Sequence, residues 1–155
     1  MTTAVLVDTH PLSQVVHPRI KPNVINWLQS LQNQETALRV PEIADYELRR
    51  ELLRSGKRKS IDRLNQISQP PRFIPLTSLT MRKASELWAW VRNQGQPTAS
   101  NDSLDGDVIL VAQAIFQLDN FDEVVIVTTN IKHLSRFQGE GIGVWDWEQA
   151  LQDLS

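Results

Sequence analysis

The chain contains no cysteine. Disulfide staples, thiolate nucleophiles and cysteine-ligated zinc are therefore excluded. Histidine is scarce too, with only His10, His17 and His133, and their spacing matches no zinc motif. No apolar run approaches the roughly 20 residues needed to span a bilayer as a helix. The N-terminus lacks the basic flank and apolar core of a signal peptide. These absences lead us to expect a cytoplasmic protein without a membrane partner. There is no excess of positive charge either. The formal net charge is −2, so no global field favours a polyanion, and any phosphate binding must rest on a local patch or a metal.

What is present reads as one domain over residues 1–155, long enough to bury a core without staples. Ala4 to Val7 form an unbroken apolar run that ends at Asp8, as expected of a strand covered on both faces. Helical spacing follows after Pro22, and "ALRVP" is a second strand candidate. "EIADYELRRELLRSG" reads as a helix stopped by Gly56, and "KSIDRLNQI" as the next helix. "RFIPL" is a short strand, and "TMRKASELWAWVRNQG" a helix. A polar loop, "GQPTASNDS", precedes an apolar helix expected from Asp107 to Leu118. "DEVVIVTTN" is the clearest strand, "IGVW" a weaker one, and "DWEQALQDL" a last helix capped by Asp146 and Gln149. Strands alternate with helices, which predicts a parallel α/β sheet with helices on both faces. Sites in such sheets form at the carboxyl ends of the strands. Asp8 closes the first strand, and Thr128, Thr129 and Asn130 close the strongest one.

The acids differ in what their positions imply. A carboxylate at the end of a buried strand needs a partner, although Asp8 also suits a turn that bonds the backbone of Thr9 or His10. On a helical wheel of about 100° per residue, Ile43, Ala44, Leu48 and Leu52 share a face. Glu47 and Glu51 lie on its edge, while Asp45 and Arg49 point elsewhere. A calcium loop over Asn101–Ala112 fails, because Ala112 falls where the bidentate acid belongs. Asp102 reads as loop solvation and Asp105 as a helix N-cap. Asp107 lies in line with Val111, Ala114 and Leu118, opposite a polar face centred on Gln113 and Gln117. It is aimed inward and needs a remote partner or a metal ion. Asn130 is a candidate amide ligand or a helix cap.

The segments "VLVDTHPLS", "VPEIADYELRREL", "LDGDVILVAQA" and "VVIVTTNIKHLSRF", in that order, span nearly the whole chain. Together they resemble the PIN domains, and within them the VapC-like ribonucleases of toxin–antitoxin systems. The resemblance implies a three-layer α/β/α fold around a four- or five-stranded parallel sheet. It implies an acidic cluster binding Mg²⁺ or Mn²⁺, endonucleolytic cleavage of RNA, a small antitoxin partner and a homodimer. By position, Asp8, Glu47 and Asp107 match the family's three main acids, as catalytic residues and metal ligands. Asp105 matches a further acidic position, and Thr9 and Thr128 match hydroxyls lining the site. The chain departs from the family at Asn130, often an aspartate, and at His133, often an acid.

The RNA would need cations. Arg49, Arg50, Arg54, Lys57, Arg58, Lys59 and Arg63 lead away from Glu47 and form the candidate patch, or simply a solvated face. Three other readings share the fold class. A degenerate, non-catalytic module would hold RNA or protein through the same surface. A phosphohydrolase using Asp8 as nucleophile would want a second aspartate where His10 stands. A phospho-acceptor regulatory domain would want extra early acids. Trp88 and Trp90, two apart on one helix, cannot both face one core, so one of them is a candidate partner contact.

Overall fold

The computed structural model describes residues 1–95 and 101–153, with the side chains of Asn101 and Asp102 outside the description. The loop expected over "GQPTASNDS" lies partly outside these residues. Five strands form a parallel sheet: β1 (Thr3–Val7), β2 (Ala37–Pro41), β3 (Phe73–Ile74), β4 (Glu123–Thr128) and β5 (Gly143–Asp146), in the order β3-β2-β1-β4-β5. Parallel strands need crossovers, and helices supply them. Around the sheet run α1 (Thr9–Val15), α2 (Pro22–Asn33), α3 (Glu42–Arg54), α4 (Arg58–Ile67), α5 (Ser78–Asn93), α6 (Asn101–Gln117), α7 (Ile131–Leu134) and α8 (Trp147–Gln152). A 3-10 turn over Ser135–Glu140 follows α7.

Alternation along the strands divides the core in two. Ala4, Leu6, Val124 and Ile126 face the layer that holds α5, α6 and α7. Val5, Val7, Val40 and Val127 face the layer of α1, α2, α3, α4 and α8. This is the three-layer arrangement expected from the pattern, with five strands. Continuous valine, leucine and isoleucine runs suit it, because both faces of each central strand are covered. Chain order reverses between β1 and β4, which pair in register from Thr3↔Glu123 to Val7↔Val127. That reversal opens a crevice at the carboxyl ends of these two strands, where ligands of open α/β sheets bind.

Several local expectations need correction. The helix α1 was not anticipated. Asp8 is its N-cap and accepts from the Thr9 N–H at 2.7 Å, so the backbone role foreseen for Asp8 is real and sits at a helix start. The helix α6 begins at Asn101, not Asp107, so Asp105 is an exposed residue within it rather than its cap. Gln113 does not mark a solvent face. It is 1% exposed, accepts from the Ile43 N–H at 3.1 Å and donates to the Ile74 carbonyl at 2.8 Å. Its amide thereby ties α6 to the start of α3 and to β3. Asp45, turned away from the apolar face of α3, is nevertheless buried. The helix α4 packs over α3, and Asp45 accepts from Arg49 at 2.8 Å and from the Ser68 hydroxyl at 2.6 Å. Gly56, at φ 68°, ends α3 as foreseen, in a left-handed conformation that suits glycine. Asp146 caps α8 by accepting from the Gln149 N–H.

Candidate functional site

Asp8 stands at the end of β1 beside Thr128 at the end of β4, although 120 residues separate them in sequence. The Asp8 N–H donates to the Val127 carbonyl at 3.0 Å and extends the strand ladder by one residue. This fixes the backbone from which the carboxylate projects. Its two oxygens have separate donors: the Thr9 N–H holds Oδ1, and the Thr128 hydroxyl holds Oδ2 at 2.7 Å. The Thr128 oxygen in turn accepts from the Asn130 N–H at 2.8 Å, so one buried hydroxyl links the acid to the turn after β4.

The second acid arrives on α3. Glu47 Oε1 accepts from the Thr9 hydroxyl at 2.8 Å. Thr9 therefore serves two acids, by its backbone and by its side chain. The other oxygen of Glu47 lies against Gly106 on α6. A Cβ at that position would stand 2.7 Å from Oε2, closer than such contacts come. Glycine at 106 lets a carboxylate from one helix rest on the backbone of another. Asp107 is the next residue. The Asn130 amide lies 3.4 Å from both of its oxygens, a long and shared contact.

These groups border one open cleft of about 390 Å³, lined by Asp8, Thr9, His10, Glu47, Asp107 and Asn130, with Ser13, Ser103 and Thr129 at its margins. Its electrostatics follow from burial and proximity. Burial raises the Asp8 carboxyl above the usual range, against the lowering effect of the bonds from Thr128 and Thr9 and the charge of His10. Burial also raises Glu47, helped by the charge of Asp8 and opposed by the Thr9 bond and Arg50. Asp107 is pushed up to about 7 by burial and then by the charges of Asp8 and Glu47. Arg136 and Asn130 oppose that rise.

The expected residues divide clearly. Asp8, Glu47, Asp107, Thr9, Thr128 and Asn130 come together. Asp105 does not join them: it is exposed and lines a groove with Met81, Trp88 and Val108 between α5 and α6. Glu51 is exposed and paired with Arg54 at 2.8 Å. His133 does not line the cleft, and its Nδ1 lies 3.1 Å from the Arg136 guanidinium. The expected cationic patch also changes. Arg49 is engaged by Asp45 and Asn65, Arg54 by Glu51, and Arg50 lies over the Tyr46 ring at 5.1 Å. Sequence reasoning missed His10, Ser13, Ser103 and Arg136, whereas Thr129 lies where the strand-end rule put it. An aspartate N-cap with Pro11 in the first turn was the available signal for α1, and hence for His10 and Ser13.

The donor set suits a hard divalent cation. It offers carboxylate oxygens whose mutual repulsion a cation would relieve, and the hydrogen bonds to Asp8 and Glu47 come from neutral groups. Among the described residues no group of three acids, histidines or cysteines is disposed to hold one ion. The fit is therefore to an ion held by one or two carboxylates that keeps its own waters, as Mg²⁺ commonly does.

No family model matches the chain. A curated relative, Toxin FitB from Neisseria gonorrhoeae, is 26% identical over 103 residues, covering 63% of this chain and 74% of that protein. The crystal structure of VapBC2 from Rickettsia felis bound to a promoter DNA fragment contains a similar chain. It superposes with a TM-score of 0.70 at 16% identity, over 93% of this chain and 98% of that one. VapBC-1 from nontypeable Haemophilus influenzae gives 0.62 at 14% identity, over 95% and 99%. FitAcB from Neisseria gonorrhoeae gives 0.60 at 19%, over 91% and 96%. The sheet order and the crevice between β1 and β4 thus belong to a fold shared along nearly the whole chain.

Proposed function

We propose that this chain, a VapC-like PIN domain in its fold, is a metal-dependent endoribonuclease that serves as the toxin of a toxin–antitoxin pair. The observation that carries the reading is the meeting of Asp8, Glu47 and Asp107, from three distant segments, in one cleft at the strand-order reversal. Three acids that burial pushes upward, two of them, Glu47 and Asp107, raised further by neighbouring negative charge, are costly to maintain. Such strain is characteristic of sites kept for chemistry. The relatives are proteins of VapBC and FitAB assemblies, which supports an antitoxin partner and a homodimer here.

In this scheme Asp8 and Asp107 would hold a Mg²⁺ or Mn²⁺ ion, with Asn130 beside Asp107. When bound, the ion would supply positive charge at the scissile phosphate and a more acidic water. The chain's own residues do the positioning. The Thr9 N–H and Thr128 hydroxyl fix both oxygens of Asp8, so its carboxylate does not rotate. The Thr9 hydroxyl aims Glu47 into the cleft. Glu47 orients the attacking water and accepts its proton as the water oxygen bonds to phosphorus and the P–O bond to the leaving ribose oxygen breaks, that oxygen taking a proton from solvent. The raised position of its carboxyl favours that task.

The test uses RNA with Mg²⁺, with Mn²⁺ and with EDTA, beside Asp8→Asn and Asp107→Asn proteins. Cleavage is expected only with metal and only in the unaltered chain. Cleavage that survives EDTA, or survives both substitutions, overturns the proposal. One observation favours a second reading, a binding module without catalysis. A neutral amide, Asn130, approaches both oxygens of Asp107 where an acid often stands in the family. RNA binding without cleavage under either metal would establish that reading instead.

A further inference from the structure

A second groove begins where the acidic cleft ends. The helix α1 has its N-terminus in the cleft, through Asp8, Thr9 and His10. Ser13, farther along α1, lines both the cleft and a neighbouring groove of about 430 Å³. That groove lies between the α1–α2 connection and the start of α4. Its basic walls are His17, Arg19, Lys57, Arg58 and Lys59. All five are exposed, and among the described residues none of the four cations makes an ion pair. This sets them apart from Arg49 and Arg54, whose charges are already met by Asp45 and Glu51. His17 is oriented as well. Its Nδ1 accepts from the Arg19 N–H at 3.0 Å, so in the neutral ring the proton is on Nε2, which is then a donor.

We propose that this groove holds the phosphate backbone of the RNA strand whose scissile bond lies in the cleft, through Arg19, Lys57, Arg58 and Lys59. The inference rests on the nuclease reading. Four cations without partners, side by side, are what a polyanion would neutralise. Continuity through Ser13 makes the occupant of the groove the same molecule as the occupant of the cleft. The protein as a whole is slightly negative and the cleft itself is acidic, so binding must draw its favourable charge from a neighbouring surface. A helix of seven residues is about 10 Å long at roughly 1.5 Å per residue. The groove thus begins within the length of α1 from the acids at its N-terminus.

The test is steady-state cleavage by the full chain at several salt concentrations, with one RNA of roughly 12 nucleotides and one of roughly three. The proteins are the unaltered chain, the triple variant Arg19→Ala/Lys57→Ala/Lys59→Ala, and Arg54→Ala as a paired-cation control. For the long RNA, the triple variant should raise KM about tenfold or more and leave kcat unchanged. Each lost phosphate contact should reduce the salt slope by about 0.7. Cleavage of the short RNA, the thermal midpoint and the behaviour of Arg54→Ala should stay as in the unaltered chain. An unchanged KM and salt slope on the long RNA overturns the groove while leaving the nuclease reading intact. Equal losses on both RNAs also overturn it, because the residues would then act at the cleft. Absence of cleavage by the unaltered chain under either metal overturns both.

Discussion

Asp107→Asn should stabilise the metal-free protein, and do so only above acidic pH. In the folded chain this carboxyl is pushed to about 7 by burial and by Asp8 and Glu47, against 3.8 unperturbed. Between these values the folded state keeps a proton that the unfolded state has released. Stability therefore falls as pH rises from about 4 to about 7, and the loss is complete above that. A displacement of about 3 pKa units corresponds to about 4 kcal/mol at 1.36 kcal/mol per unit. Asp107 retains some contact with water, which brings the expected figure to about 2–4 kcal/mol. Asparagine keeps the shape and an oxygen for the Asn130 amide but never ionises. The variant should match the unaltered chain at about pH 4 and exceed it by about 2–4 kcal/mol at about pH 8, or by roughly 4–16 °C in midpoint. Urea denaturation in EDTA across this range measures the difference, provided the slope m is unchanged. A gap that does not change with pH, or a variant that grows less stable with rising pH, refutes the reasoning. Metal should reverse the penalty. Saturating Mg²⁺ or Mn²⁺ stabilises by about 2.7 kcal/mol at a hundredfold excess over Kd, and more at high pH, where protons compete less. The same ion should do little for Asp107→Asn.

Two further substitutions separate positioning from stability. In Gly106→Ala the new methyl would meet Glu47 Oε2 at 2.7 Å and push the carboxylate aside, so RNA cleavage should fall about tenfold to a hundredfold. The thermal midpoint should hold or rise, because alanine is the better helix former by about 1 kcal/mol. Full activity in that variant would show that the placement of Glu47 does not matter. Gln113→Leu strands the Ile43 N–H and the Ile74 carbonyl without partners, at a cost of about 2–4 kcal/mol in urea denaturation. Its kcat should not change.

The sheet was readable because its central strands are buried on both faces. Such strands can hold nothing but apolar residues, and the runs Ala4–Val7 and Val124–Val127 stand out for that reason. The acids at strand ends were readable through the same rule. Helix faces were readable only where one neighbour decides burial. The wheel placed Glu47 on the rim of α3 and turned Asp45 and Arg49 away from the apolar face, but it could not show that Ser68, just past α4, would bond Asp45 or that Asn65 would hold Arg49. It assigned Gln113 to solvent for the same reason, since its two backbone partners are 70 and 39 residues away. Polarity there reflects unpaired backbone at two element ends rather than exposure. Among the cations, pairing rather than position along the chain separates Arg49 from Lys57.

Gly106 shows how closely the two questions are joined. In the sequence it falls at the turn position of a calcium loop that Ala112 rules out. In the fold it lies within α6, where glycine costs helix stability, and no turn requires it there. What requires it is Glu47, whose carboxylate occupies the space a side chain would fill. That contact brings the Glu47 charge next to Asp107, and this charge is part of what lifts the Asp107 carboxyl to about 7. The glycine thus weakens the protein twice: once in the helix and once by bringing two acids together. A fold selected for stability alone would keep neither feature. Their joint presence, at the strand-order reversal and beside an Asp8 whose two oxygens are already fixed, is what a site built to gather a cation would retain.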